Sequence, residues 1–442
     1  MNVPPTSART IVIGGGLSGL LAAWHLQGLD HAVEVWEASP AVGGWAQTLP
    51  WPGPRDEPGY LERGPQGLRL SRGSALDRLV QELSVTLLSS SPRGPRWLGK
   101  GGRRQSSPTS LLGLLQAPDL GFRDLLRLLA EPFIPAGTDP DESLQAFFAR
   151  RLGDGFAREL LPDLVAGLLA APPERISLAA LPRMRQLEAR GGLLIGGLRA
   201  GPESTRQPED GLGALALSLA AALECLHTSR PARTLESLPG GRWRVQGDGC
   251  AAEAARVVVA LPSPAAAGLL KAVAPVAAGI LAAIPRLDLR VWHSRHPQVK
   301  GWERGFGLLV HPPEGHGLLG AGSLAAKDFR GVPGLLQVRT YLGGAYPVDP
   351  ALRDWPGVFA ELRRWLPELP EPVQVREEAC PGAFPLLEPG HGGRVATLLA
   401  DLPPNLHWLG TDRFGPGLPD LAAGIEAWAR DFSPAERSSG SP

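Results

Sequence analysis

The period of the apolar positions changes several times along the chain, and each change marks a predicted element. A short β-branched run, Thr10 to Ile13, enters a glycine turn. Apolar residues then recur at helical spacing (Leu17, Leu20, Leu21, Ala23, Trp24, Leu26) before a second strand, Ala32 to Trp36. Ser74 to Leu83, Leu111 to Leu129 and Ser143 to Leu169 also carry a helical period, broken by Gly and Pro. The Gly/Pro/charge-rich stretch Gly201 to Gly211 reads as a linker, Gly211 to Cys225 as a helix, and Trp243 to Val245 with Val257 to Val259 as a strand pair. Strand-like alternation dominates from Pro285 to Gly344. A helix (Val358 to Leu366), a strand (Leu406 to Gly410) and a helix (Leu418 to Phe432) follow, and Ser433 to Pro442 is a polar tail expected to be disordered.

This order predicts an α/β protein with a Rossmann-like nucleotide domain, a mixed-sheet substrate domain and an inserted helical subdomain. The nucleotide domain would be discontinuous, built from 1–75, 205–265 and 395–432. The helical subdomain would span 76–204 and the sheet domain 266–394. No internal repeat interrupts the pattern.

Composition narrows the class. Basic and acidic residues number 44 each, so net charge gives no reason to expect a nucleic-acid partner. The three cysteines (Cys225, Cys250, Cys380) are scattered and form neither a disulfide framework nor a metal motif, which favours a reducing, cytoplasmic setting. The first nine residues lack the charged and apolar regions of a signal peptide, and no apolar run reaches the ~18 residues of a membrane span. The leucine-rich pieces at Leu111 to Leu115 and Phe122 to Leu129 read first as a packed helical subdomain. Their alternative is a surface resting on the inner face of the cell membrane.

The most informative stretch is the glycine turn. Gly14 permits the tight bend, Gly16 lets backbone approach a pyrophosphate, and Gly19 lets helix and strand pack closely, with Ser18 in the first helical turn. The helix N-terminus then offers N–H groups and a positive dipole end to phosphate. The second strand ends at Glu37, eighteen residues after Gly19, where a carboxylate accepts from ribose hydroxyls. Gly43 and Gly44, followed by Trp45, let backbone pass close to an extended diphosphate, which favours FAD over NAD.

This continuation resembles the large flavin family containing amine oxidases, phytoene desaturases and protoporphyrinogen oxidases. Within it the chain is most similar to the protoporphyrinogen oxidases. The shared features run in order: Gly14 to Trp45, Glu62 to Arg69, Pro140 to Phe147, Arg151 to Gly153, Gly167, Ser177, Pro182, Gly192 to Leu198, Gly305 to Val310, Pro385, and Gly390 with His391. The resemblance implies that the segment Glu62 to Gly67, with Gly64, Pro65 and Gln66 as its site residues, runs beside the flavin ring, that the backbone near Ala232 touches adenine, and that Gly410, Gly417 and Leu418 complete the flavin site. It implies a flat, partly reduced tetrapyrrole substrate, oxidised in two-electron steps by hydride transfer to the flavin, with O2 as acceptor. No residue of the chain is then required as a catalytic acid or base, and no metal is expected. Leu164 and Leu309 would sandwich the macrocycle, Gly167 and Gly307 would keep the wall thin, and Arg96 would face a propionate. The leucines also read as core residues, and Arg96 as a surface arginine of the loop 91–97. The last segment departs from the family: Gly410, Gly415 and Asp420 are kept, but its usual Asn and Cys are absent.

Protoporphyrinogen IX and coproporphyrinogen III both remain open as substrates, and so does a homodimer. An amine oxidase would place a lysine on the strand Leu287 to Trp292, which has none, and tyrosines for an aromatic cage are scarce. A carotenoid-type desaturase and an FAD-binding protein without turnover are the remaining alternatives.

Overall fold

Buried β-branched strands dictate the first layer. β1 (Arg9–Ile13) runs through the helix Leu17–Gln27 to β2 (Ala32–Trp36), and the two strands pair in parallel. The chain continues through β3 (Thr48–Pro50), β4 (Tyr60–Glu62), β5 (Leu68–Ser71) and the helix Ala75–Glu82 to β6 (Arg96–Lys100) and β7 (Arg103–Ser106). The helices Phe122–Leu129, Leu144–Leu152, Asp154–Glu159, Leu161–Leu169, Pro182–Ala189 and Gly192–Ala200 follow among the described residues. Then come β8 (Glu203–Arg206), the helix Gly213–Ala221, β9 (Leu226–His227), β10 (Ala232–Leu238), β11 (Arg242–Gly247), β12 (Cys250–Ala254) and β13 (Arg256–Val259). The helices Ser263–Leu270 and Pro275–Ala282 lead to β14 (Arg286–Pro297), β15 (Gly307–Val310), β16 (Leu318–Ser323) and β17 (Leu335–Gly343). The helix Trp355–Trp365, β18 (Gln374–Pro385), the helix His391–Asp401, β19 (Leu406–Trp408) and the helix Leu418–Asp431 close the fold. The computed structural model describes residues 9–88, 94–107, 113, 120–139, 141–200, 203–324 and 331–432.

Five parallel strands form one sheet in the order β19-β13-β1-β2-β9. Val12 and Val258 point into one core with Leu20 and Ile425, while Ile11, Ile13 and Val257 point into another with Trp36 and Trp408. Burial on both faces is why these strands read as continuous rather than alternating apolar runs. A seven-stranded mixed sheet, β18-β14-β17-β16-β15-β6-β7, forms the second layer. Its alternation is clean along β17: Leu336, Val338 and Leu342 pack under the helix Trp355–Trp365. Gln337, Arg339 and Tyr341 therefore face the opposite side, toward the nucleotide domain.

The helical stretch has its own core, including Phe147, Phe156, Leu161, Val165 and Leu178. The buried Arg151 there pairs with the buried Glu131, whose carboxylate also accepts from Leu193 N and Leu194 N.

Several expected elements differ. The run Ser143 to Leu169 is three helices, because Gly153 (φ 96°) and the N-terminal Pro162 interrupt the backbone ladder. The stretch read as a linker holds β8, which pairs with β5. β6 and β7 fall within the span expected to be helical, yet they extend the mixed sheet beside β15. Of the leucine-rich pieces, Phe122–Leu129 is a helix. Leu111, Leu112, Leu114 and Leu115 lie outside the described residues, as do Ser91 to Arg93, Pro140, Gly201 and Ser433 to Pro442.

Candidate functional site

The carboxyl ends of four parallel strands meet at one cavity. Gly14 follows β1, Glu37 follows β2, Ala260 follows β13 and Gly410 lies just past β19, and all four line it. β1 lies between β13 and β2, so the crevice stands where the strand order reverses, the usual place for a ligand in such sheets. The cavity measures about 630 Å³, within the range of small-molecule and cofactor sites.

Its nucleotide end is built from backbone. A Cβ at Gly19 would sit 1.8 Å from Gly14 O, so only glycine lets the first helix pack this closely on the turn. Gly16 caps that helix without a side-chain bond, and the first turn carries no acidic residue. A Cβ at Gly16 would meet nothing within 4 Å, and one at Gly44 would lie 3.4 Å from Gly16 Cα. Two bare backbones thus lie side by side at a positive helix end, with open space on the side where a Gly16 side chain would stand, a cradle that fits a diphosphate. The Glu37 carboxylate accepts from Gly15 N (2.6 Å), Ser39 N (2.8 Å) and Ser39 Oγ (2.6 Å), which holds it beside this cradle. These residues fit FAD, and the protein binds FAD.

The far end meets the mixed sheet. Arg63, Gly64, Pro65 and Gln66 line one side, and a Cβ at Gly64 would lie 2.3 Å from Trp45 O, so this segment presses on the diphosphate loop. Beneath it Glu62 is fully buried. It accepts from Leu212 N (2.6 Å), Gln207 Nε2 (2.8 Å) and Thr48 Oγ1 (3.0 Å), yet burial raises its pKa to about 7. Arg339 donates to Gly64 O (2.5 Å) and Arg63 O (3.1 Å), and Tyr341 Oη donates to Gln66 Oε1 (3.0 Å). Leu289, Val291, Leu319 and Phe384 supply an apolar wall, and Ala166 to Ala170 face it from the helical subdomain. Asp412 pairs with Arg286 (2.8 Å), and His391 Nε2 donates to Asp412 O (2.6 Å). No histidine or lysine lines the cavity among the described residues.

The cavity collects most of the sequence-predicted cofactor residues: Gly14, Gly16, Ser18, Glu37, Gly43 and Gly44 at one end, then Trp45, Gly64, Pro65, Gln66, Gly410 and Leu418. Gly19 lies behind the turn, and Gly417 caps the last helix without lining the cavity. Ala232 also stands off the lining; it opens β10 and packs in the core around Trp36. Of the predicted substrate residues only Gly167 lines the cavity. Leu309 lies directly behind it, since a Cβ at Gly167 would be 2.2 Å from Leu309 Cδ2. Gly307 pairs with Arg96 across β15 and β6, close enough that a Cβ at Gly307 would be 2.9 Å from Arg96 Nη1. Leu164 is on the outer face of the helix Leu161–Leu169. Arg63 lies in the segment expected beside the flavin ring, whereas sequence reasoning missed Arg286, Arg339, Tyr341, Phe384 and Asp412. The alternation along β14 and β17 was the available signal, but it does not say which face turns inward.

Outside the cavity, Glu34, Cys225 and His227 bring ligand atoms within 4.8 Å of one another, although Glu34 is already paired with Arg9 and Arg230.

Comparisons with known proteins agree with this geometry. The sequence profile described as "Flavin containing amine oxidoreductase" matches residues 17–412. The protoporphyrinogen oxidase of Homo sapiens is 31% identical over 375 residues, covering 76% of this chain and 78% of its own. The coproporphyrinogen III oxidase of Bacillus subtilis is 27% identical over 295 residues, covering 59% and 61%. Among solved structures, a candidate protoporphyrinogen oxidase from Exiguobacterium sp. 255-15 aligns with TM-score 0.78 at 19% identity, covering 96% of this chain and 98% of that one. A cyclohexylamine oxidase from Brevibacterium oxydans aligns with TM-score 0.72, also at 19% identity and the same coverage.

Proposed function

The chain belongs to the flavin-containing amine oxidoreductase family, and from that premise we propose that this FAD-dependent oxidoreductase converts a porphyrinogen, protoporphyrinogen IX or coproporphyrinogen III, to the porphyrin with O2 as electron acceptor. One observation carries the reading: among the described residues no histidine or lysine lines the cavity, and Leu289, Val291, Leu319 and Phe384 give its flavin end an apolar wall. Of the three β14 residues that line the cavity, Arg286 is paired with Asp412, which leaves Leu289 and Val291 as its apolar face. An amine substrate would be better served by a polar or basic group there, whereas a flat macrocycle buries its faces against such a wall.

Bound FAD supplies the hydride acceptor. The chain's own residues position and enclose. Gly16, Gly44 and the first helix hold the diphosphate, and Glu37 takes the ribose hydroxyls. Gly64 to Gln66 and the last helix at Leu418 flank the ring. Gly167, thin against Leu309, gives room for the macrocycle. Gly307 and Arg96 extend that edge outward, so that the guanidinium meets a peripheral carboxylate.

Access would come from a lipid surface. Phe122, Leu126 and Leu129 share one helix face at i, i+4 and i+7, and all are exposed. Phe133, Leu164, Leu168 and Leu198 add to the exposed apolar surface of the helical subdomain, and Leu168 also lines the cavity. No helix among the described residues is long and apolar enough to cross a membrane, so contact would be peripheral.

Anaerobic mixing of the flavin-loaded protein with each porphyrinogen tests the reading. Bleaching of the flavin, followed by porphyrin fluorescence on admitting air, is expected. Bleaching by primary amines and by neither porphyrinogen would overturn it.

A further inference from the structure

Of the charged side chains lining the cavity among the described residues, Arg286 and Asp412 pair with each other, while Glu37, Arg63 and Arg339 lack an oppositely charged partner, and of these three only Arg339 is buried. Arg286 has Asp412, and Glu37 is held by Gly15 and Ser39. Arg63 lies over the Trp45 ring, with its guanidinium carbon 4.9 Å from the centroid, and it remains partly exposed. Arg339 is 3% exposed, and its hydrogen-bond acceptors are the two backbone carbonyls of Arg63 and Gly64. No carboxylate forms an ion pair with it among the described residues, and its buried Nε has no hydrogen-bond partner. Its surroundings do not compensate it. The cross-strand neighbour His293 is fully buried and held neutral by burial and by Arg339, Arg376 and Arg295. Glu62 feels the Arg339 charge, but its own burial leaves it only partly ionised near neutral pH. The remaining contact is the Tyr341 ring, 5.0 Å from the guanidinium carbon.

A buried guanidinium facing a cavity without a counter-anion is costly unless an anion arrives there. The position selects which anion. Arg339 grips the segment Arg63–Gly64 at the mixed-sheet end of the cavity, whereas the diphosphate cradle is formed by the first helix and Gly44. Hydride transfer breaks a donor C–H bond and places both its electrons, with the hydrogen, on a neutral flavin ring. The ring gains one negative charge; the donor keeps the matching positive charge until it sheds a proton.

We propose that Arg339 is the counter-cation for the negative charge that the flavin ring acquires on reduction, so that this residue sets the flavin's readiness to accept a hydride. The role rests on FAD binding and not on the identity of the donor, so it stands or falls separately from the porphyrinogen reading.

The test uses the flavin-loaded protein and sulfite, whose addition to oxidised flavin also leaves the ring anionic. Arg339→Gln keeps donors for the two carbonyls and removes the charge. It should retain FAD while its sulfite Kd rises about tenfold or more, with the two-electron midpoint potential falling by the equivalent ~30 mV. Arg339→Lys keeps the charge and should stay much closer to the parent in both. Unchanged sulfite affinity and potential in Arg339→Gln would overturn the proposal. So would loss of FAD with an unaltered potential in the retained fraction, which would assign the charge to the diphosphate. Should the Gln variant fail to fold, photoreduction of the unaltered protein decides: an anionic semiquinone is expected, and a neutral one refutes the role.

Discussion

Replacing Glu62 by glutamine should make the fold less sensitive to rising pH. The carboxyl lies beneath the segment that lines the flavin end of the cavity, out of contact with water. Its three donors, Leu212 N, Gln207 Nε2 and Thr48 Oγ1, favour the ionised form, and so does Arg339, but burial outweighs them and lifts the pKa from 4.5 to about 7. The folded chain therefore holds this proton more tightly than the unfolded chain. Stability from the group is fully present below pH ~4.5, is lost as pH rises toward 7, and changes no further above that. At ~1.4 kcal/mol per pH unit the loss is on the order of 3 kcal/mol. Glutamine keeps an acceptor for Leu212 and Gln207 and turns its amide toward Thr48, at a cost of roughly 1 kcal/mol for the altered bond. Thermal melting of parent and Glu62→Gln at pH 5 and pH 8, with FAD at a fixed excess, reads the difference. The gap between variant and parent should shift in the variant's favour by roughly 2–3 °C between the two pH values, more if the nucleotide domain melts alone. An identical gap at both would show Glu62 ionised throughout, with its donors and Arg339 prevailing over burial.

Arg96→Ala should raise KM for the porphyrinogen about tenfold, the usual scale of a lost carboxylate contact, without loss of bound FAD. Steady-state kinetics with flavin absorbance measures both, and an unchanged KM removes Arg96 from the substrate edge. The double variant Phe122→Ser, Phe133→Ser should lose most cosedimentation with anionic phospholipid vesicles, since each exposed ring contributes on the order of 1–3 kcal/mol when buried in lipid. Equal sedimentation of parent and variant would remove this face from membrane contact.

The nucleotide half was legible because its determinants are local and made of backbone. Gly14, Gly16 and Gly19 fall within six residues: Gly14 and Gly19 stand where a Cβ would collide with backbone, and Gly16 leaves bare backbone open to the cavity. The apolar wall was not legible in the same way. Tyr341, Val291 and Phe384 come from three strands far apart in sequence and meet only through the register of β14 with its two antiparallel neighbours. The period-2 pattern announced those strands, but a period of two cannot say which face is inward. β8 was hidden for a related reason: its partner β5 lies well over a hundred residues earlier, so the Gly/Pro flanks dominated the local signal. The single helical run from Ser143 concealed breaks whose causes, Gly153 and Pro162, were visible but outweighed by the apolar period.

The inward face of the mixed sheet also holds the two layers together. Arg295 donates to Trp51 O and Pro52 O, Gln337 to Tyr60 O, and Arg339 to Gly64 O and Arg63 O. The sheet therefore clamps the segment Trp51 to Gly64 through its backbone carbonyls, which every residue type provides. Docking of the two layers then depends on a few polar side chains of β14 and β17, helped by the Trp51 ring, which packs under the Arg295 guanidinium and against His293. Residues next to the clamp, such as Leu289, Val291 and Phe384, can change without releasing it. Arg339 belongs both to this seam and to the cavity lining, as clamp and as cavity-facing charge. That double duty makes the Lys variant at this position informative: it keeps the charge while weakening the clamp, so a potential near the parent's with looser FAD retention would separate the two contributions.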